Sequence, residues 1–100
     1  VDVEIPCASL HDRKQLMEDH SDAFIALPGG IGTLDEIFTM AASATIGYHQ
    51  KPVILYNIGG FWDGLTALLD DLDRHHMVRG HWRDYIRVAT TIEEISEMLV

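Results

Sequence analysis

The chain has 100 residues, 47% of them hydrophobic and 23% charged, with a formal charge of -9 and a mean hydropathy of +0.04. That length holds one modest core, and the composition is neither disordered nor fibrous. The acidic balance argues against a nucleic-acid backbone as partner, because that attraction needs clustered Lys and Arg.

Residues 1–8 open with Val1, Val3 and Ile5 alternating with Asp2 and Glu4. A period of two predicts a half-buried strand, with Pro6 near its end. Cys7, the single cysteine, reads as a small buried hydrophobe; alone it forms no intrachain disulfide and no Cys-based metal site. Residues 9–20 are helical in pattern, with Leu10, Leu16 and Met17 to one side and Ser9 or Asp12 as N-cap. Ala23-Phe24-Ile25-Ala26-Leu27 is a continuous apolar run of strand length, as expected for a strand covered on both faces.

Pro28 ends that run, and Gly29-Gly30-Ile31-Gly32-Thr33-Leu34-Asp35-Glu36 follows. Residues 33–46 are expected to be a helix, from Leu34, Ile37, Phe38, Ala41 and Thr45 at intervals of three and four, with Gly47 as its stop. After Pro52, Val53-Ile54-Leu55-Tyr56 is a second buried strand, closed by Asn57 and Gly59-Gly60. Phe61, Leu65, Leu68, Leu69 and Leu72 predict an amphipathic helix to about residue 75, and residues 77–84, with Gly80, a loop. Residues 85–89 are a short strand, and Thr91-Ile92-Glu93-Glu94 starts a last helix with capping-box spacing.

Strand and helix thus alternate four times, which predicts an α/β fold, a parallel sheet with right-handed crossovers and flanking helices. In such a sheet ligands bind at the edge where the strands end. Residues 9–14, 28–36 and 57–62 should converge there, making Arg13, Lys14, the glycine loop, Glu36 and Asn57 one candidate site. No apolar run approaches the ~20 residues of a membrane span. Nor does a signal-peptide pattern open the chain; a cytoplasmic protein without a membrane partner is expected.

Three glycines at a strand-to-helix junction let a backbone approach a ligand closely, and the free amides of a helix start attract anions. The spacing is neither the dinucleotide fingerprint nor a Walker loop. A plain tight turn is the alternative. Arg13 and Lys14, the only Lys or Arg among residues 1–50, favour phosphate binding. Glu36 has two readings. Thr33-x-x-Glu36 has capping-box spacing, which would give Glu36 a purely structural role; a carboxylate beside a phosphate loop can also act on the sugar or base of a nucleotide. Asp35 is expected to be exposed. The histidines, His11, His20, His49, His75, His76 and His81, lack metal-site pairing, so no metal is expected. Trp62 and Trp82 read as packing or interface residues.

Pro28-Gly29-Gly30-Ile31-Gly32-Thr33 with Glu36, preceded by Arg13-Lys14 and Met17, resembles the paired RK and PGGxGTxxE signatures of the LOG family. These are cytokinin riboside 5'-monophosphate phosphoribohydrolases, often mislabelled lysine decarboxylases. Residues 47–57 resemble the family's following strand, and the likeness reaches about residue 72. It implies a Rossmann-like fold and hydrolysis of the N-glycosidic bond of a purine nucleoside 5'-monophosphate. The family's catalytic arginine and glutamate fall on Arg13 and Glu36; Lys14, Gly29, Gly30, Ile31, Gly32 and Thr33 match positions that hold the nucleotide. No cofactor is implied: a decarboxylase would need a pyridoxal-phosphate lysine, and the motif supplies none. A homodimer is implied, with the helix after the loop near the interface.

Two departures stand out. Where the family often has Thr-Trp in that helix, this chain has Ala42-Ser43, which leaves the substrate open. The chain also starts without Met at what resembles the middle of the family fold. Residues 1–100 are therefore expected to be the C-terminal part of a larger Rossmann-like nucleotide-binding domain. A non-catalytic nucleotide-binding or sensing module of the same group is the alternative function.

Overall fold

A computed structural model describes Val3–Glu4, residues 22–47 and residues 51–99. Four strands form one parallel sheet in sequence order: β1 (Val3–Glu4), β2 (Ala23–Ala26), β3 (Val53–Tyr56) and β4 (Ile86–Ala89). Among the described residues three helices accompany it: α1 (Ile31–Thr45), α2 (Asp63–Arg74) and α3 (Ile92–Met98). The arrangement is α/β and Rossmann-like, as the alternating pattern predicts.

Strand register explains why β2 and β3 read as unbroken apolar runs. Phe24 is level with Val53 and Val53 with Ile86, while Ala26 is level with Leu55 and Leu55 with Val88. These rows meet Ile37, Met40 and Ala41 of α1 and Leu69 of α2 in the main core. Ile25 and Ile54 point the other way and pack with Ala89 and with Ile95 of α3. Both faces are covered, so every position must be apolar. Each fully buried large side chain contributes about 1.5–3 kcal/mol. The crossovers from β2 to β3 and from β3 to β4 place α1 and α2 on one face. α3 follows the last strand and is free to cover the other.

Several details differ from the periodicity. α1 begins at Ile31, not Thr33, with Gly30 as N-cap. Its buried stripe is Thr33, Glu36, Ile37, Met40 and Ala41: of the expected line, Ile37 and Ala41 are buried and Leu34 packs partly buried on the core, whereas Phe38 is 40% exposed. α2 starts after Phe61, which is half-exposed, and buries Leu69 but not Leu68. The expected loop at 77–84 contains a 3₁₀ turn, Trp82–Asp84. Gly47 does stop α1: its φ is +79° and its N–H donates to the Ala44 carbonyl at 3.1 Å. The expected helix at 9–20 and most of the expected first strand, with Pro6 and Cys7, lie outside the described residues.

Both tryptophans are buried packing residues, which removes them as an exposed interface. Trp82 is 1% exposed. Its Nε1 donates to Asp70 Oδ1 at 2.7 Å and its amide to Asp73 Oδ2 at 3.2 Å, tying the segment before β4 to α2. Arg83 lies 4.3 Å over the indole ring.

Candidate nucleotide site

β2 ends at Ala26, and four residues, Leu27 to Gly30, carry the chain into α1. The helix therefore starts at the edge where the parallel strands end, the ligand edge of this fold class. The N–H of Leu34 already bonds to the Gly30 carbonyl at 3.1 Å. Ahead of it the amides of Ile31, Gly32 and Thr33 have no partner within the helix. No acidic residue occupies the first turn, so the partial positive charge of the helix start is undiminished locally. Chemically, this is a seat for an anion.

Glu36 lies one turn deeper. Its side chain is 2% exposed, on the stripe of α1 that faces the sheet. The Thr33–Glu36 capping box does not form: with the N-cap at Gly30, both residues fall inside the helix and turn inward. Thr33 is likewise buried, at 5% exposure, against the loop glycine Gly29. Of the two readings of Glu36, the purely capping one is overturned. Asp35 is exposed as expected.

Asn57 does not belong with these groups as a free ligand. Its Oδ1 accepts from the Trp62 amide at 2.6 Å and its Nδ2 donates to Asp63 Oδ1 at 2.8 Å. The carboxamide is spent on closing the turn into α2, where Gly59 and Gly60 hold φ of +58° and +78°. Arg13 and Lys14 lie outside the described residues. The histidines that are described serve local structure: His75 Nδ1 donates to the Asp71 carbonyl at 2.8 Å. His81 Nδ1 accepts from the Arg83 amide at 3.1 Å, so its proton sits on Nε2, 3.2 Å from Asp73 Oδ2. Among the described residues, no three His, Cys, Asp or Glu side chains converge on a metal position.

A family model described as possible lysine decarboxylase matches residues 2–99. Relatives carry a different name. Cytokinin riboside 5'-monophosphate phosphoribohydrolase LOG3 of Arabidopsis thaliana is 40% identical over 92 residues, 92% of this chain and 43% of the relative. The protein named cytokinin riboside 5'-monophosphate phosphoribohydrolase in Mycobacterium tuberculosis is 50% identical over 64 residues, 64% of this chain and 34% of the relative. The chain belongs to the LOG family. It spans less than half the length of these LOG relatives.

The decarboxylase wording can be tested on the residues. Pyridoxal phosphate needs a lysine at its site, and the chain's lysines are Lys14 and Lys51. Lys51 stands just before β3, at the end of the sheet opposite the glycine loop; Lys14 lies outside the described residues. No described lysine fits that cofactor. Among the described residues of the LOG chain, an apolar groove of about 470 Å³ is lined by residues such as Phe38, Ile46, Leu69 and Met77. Ala42, one of the residues that depart from the family pattern, borders this groove and not the glycine loop. Among the described residues, no helix is long and apolar enough to cross a membrane.

Sequence reasoning missed that Thr33 turns toward Gly29. The signal was a glycine four residues before a threonine at a helix start, one turn apart.

Proposed function

We propose that the protein hydrolyses the N-glycosidic bond of a purine nucleoside 5'-monophosphate, a cytokinin or adenosine nucleotide, to free base and ribose 5-phosphate. The observation that carries this reading is a buried carboxylate, Glu36, one turn behind a helix start bare of acidic side chains. The names of the relatives and the match of Arg13, Lys14 and the glycine loop to the family signatures support it.

In this mechanism the amides of Ile31, Gly32 and Thr33 hold the 5'-phosphate. As the bond from C1' to the base nitrogen lengthens, positive charge develops on the sugar, as in glycoside hydrolysis. Glu36 stabilises that charge or orients the attacking water. The base leaves with the bonding electron pair and is protonated, while the water oxygen bonds to C1' and loses a proton. Arg13 positions the nucleotide or Glu36 and favours the ionised carboxylate, and Lys14 adds a second cation for the phosphate.

The protein in this reading is a cytoplasmic homodimer, and residues 1–100 form one nucleotide-binding unit, the C-terminal part of a larger Rossmann-like domain. The test is to incubate the intact protein with AMP, isopentenyladenosine monophosphate and pyrimidine monophosphates and to assay free base. Release from the purine nucleotides alone is the expected result. Binding without any base release would overturn hydrolysis and favour a sensing module.

A further inference from the structure

We propose that the three loop glycines have two separate roles: Gly29 forms an interlocked positioning pair with Thr33, whereas Gly30 and Gly32 face the ligand. The second half of this rests on the nucleotide reading above; the first half does not.

A positive φ is not the reason for these glycines. The glycines with positive φ among the described residues are Gly47, Gly59, Gly60 and Gly80; Gly29, Gly30 and Gly32 are not among them, although Gly30, at φ −105° and ψ −145°, lies outside the usual β region in ψ. Space separates them. A Cβ built on Gly29 would overlap Thr33 Oγ1 and lie 3.0 Å from Thr33 Cβ. Real carbons do not approach that closely, and the Thr33 side chain cannot readily give way because it is 5% exposed on the inward stripe of α1. Gly29 therefore rests directly on the Thr33 side chain. A Cβ on Gly30 or Gly32 would meet nothing within 4 Å, and both residues are exposed. No described neighbour takes up the Cβ position at either glycine. What an added methyl would obstruct is the approach to the amides of Ile31, Gly32 and Thr33, which have no partner within the helix.

The threonine acts through the glycine beside it. By fixing Gly29, Thr33 fixes where the chain leaves β2 and how the following amides are aimed. It is a positioning residue, and its side chain need not touch the nucleotide.

The two roles give opposite patterns in a mutant cycle on the intact protein, with thermal midpoint without ligand and steady-state kinetics on AMP as readouts. Gly29→Ala is expected to lower the midpoint and raise KM about tenfold, the loss falling on KM more than on kcat. Adding Thr33→Ala removes the Oγ1 overlap and leaves only the tight Cβ contact at 3.0 Å, so Gly29→Ala/Thr33→Ala should regain part of both. Gly32→Ala is expected to hold or raise the midpoint, since alanine favours a helix, yet raise KM about tenfold or more, with no relief from Thr33→Ala. If Gly29→Ala does not fold, folding of the double variant is the expected result. A Gly29→Ala midpoint equal to the parent's, or a double variant no better than Gly29→Ala, would overturn the pair. Unaltered KM in Gly32→Ala would overturn the ligand-facing role. Should the parent neither bind nor cleave AMP, the nucleotide reading falls, while the ligand-free midpoints still decide the Gly29–Thr33 pair.

Discussion

Thr33 and Glu36 stand one turn apart on the inward face of α1, and they are the buried polar side chains of the described core. A buried carboxylate one turn behind the glycine loop is the candidate for chemistry in this reading. Replacing Glu36 by Gln preserves size and most hydrogen-bonding capacity but removes the charge. Base release from purine monophosphate should then fall at least about 100-fold in kcat, while AMP still binds by calorimetry. Parent-like turnover would end the catalytic assignment.

Asn57 joins the end of β3 to the start of α2 through the Trp62 amide and the Asp63 carboxylate. Asn57→Ala removes both bonds. A loss of about 1–2 kcal/mol is expected, seen as a lower urea midpoint with an unchanged slope. No loss would show that the turn holds without the carboxamide.

Trp82 offers a graded test of the anchor before β4. Trp82→Phe keeps most of the ring but deletes the bond to Asp70, which should cost about 1 kcal/mol, plus a smaller packing term. Trp82→Ala empties a fully buried site and should cost about 3–5 kcal/mol. Equal effects of the two, measured by denaturant unfolding, would mean the hydrogen bond and not the packing dominates.

Glu94 carries a pH signature. Its carboxylate accepts from the Thr90 hydroxyl at 2.6 Å and the Thr90 amide at 3.0 Å, with Thr91 adding less, and these bonds hold its pKa below the ordinary 4.5. A carboxyl depressed by folding contributes its stability in full above the unfolded value and loses it as pH falls through the folded one. The parent should therefore lose thermal midpoint below about pH 4.5 more steeply than Glu94→Gln. Parallel pH profiles would remove this contribution.

Much of this was legible in the sequence. The strand at 53–56 was read to the residue, because a short apolar run between Pro52 and Asn57 has few alternatives. Gly47 was read as a helix stop from its position alone. The facing of α1 was less legible: Leu34 and Phe38 are as apolar as the residues that are buried, and periodicity cannot tell a stripe from its neighbour when both are apolar. Asn57 was placed at the correct edge, but its hydrogen-bond partners depend on how the following turn closes.

The clearest division concerns one spacing that occurs twice. Thr91-x-x-Glu94 and Thr33-x-x-Glu36 both read as capping boxes. At the first, Thr91 is the N-cap, its Oγ1 accepts from the Glu94 amide at 3.1 Å, and Glu94 reaches back one residue further, to Thr90. At the second, α1 begins at Ile31, so the same pair lies within the helix and faces the sheet. The sequence by itself determined the alternation of strand and helix, the glycine loop at the junction and the presence of a carboxylate beyond it. Only the tertiary structure decided where the helix starts, because that depends on how α1 lies against β2 and β3, and a shift of two residues turns a side chain from the helix end to the core.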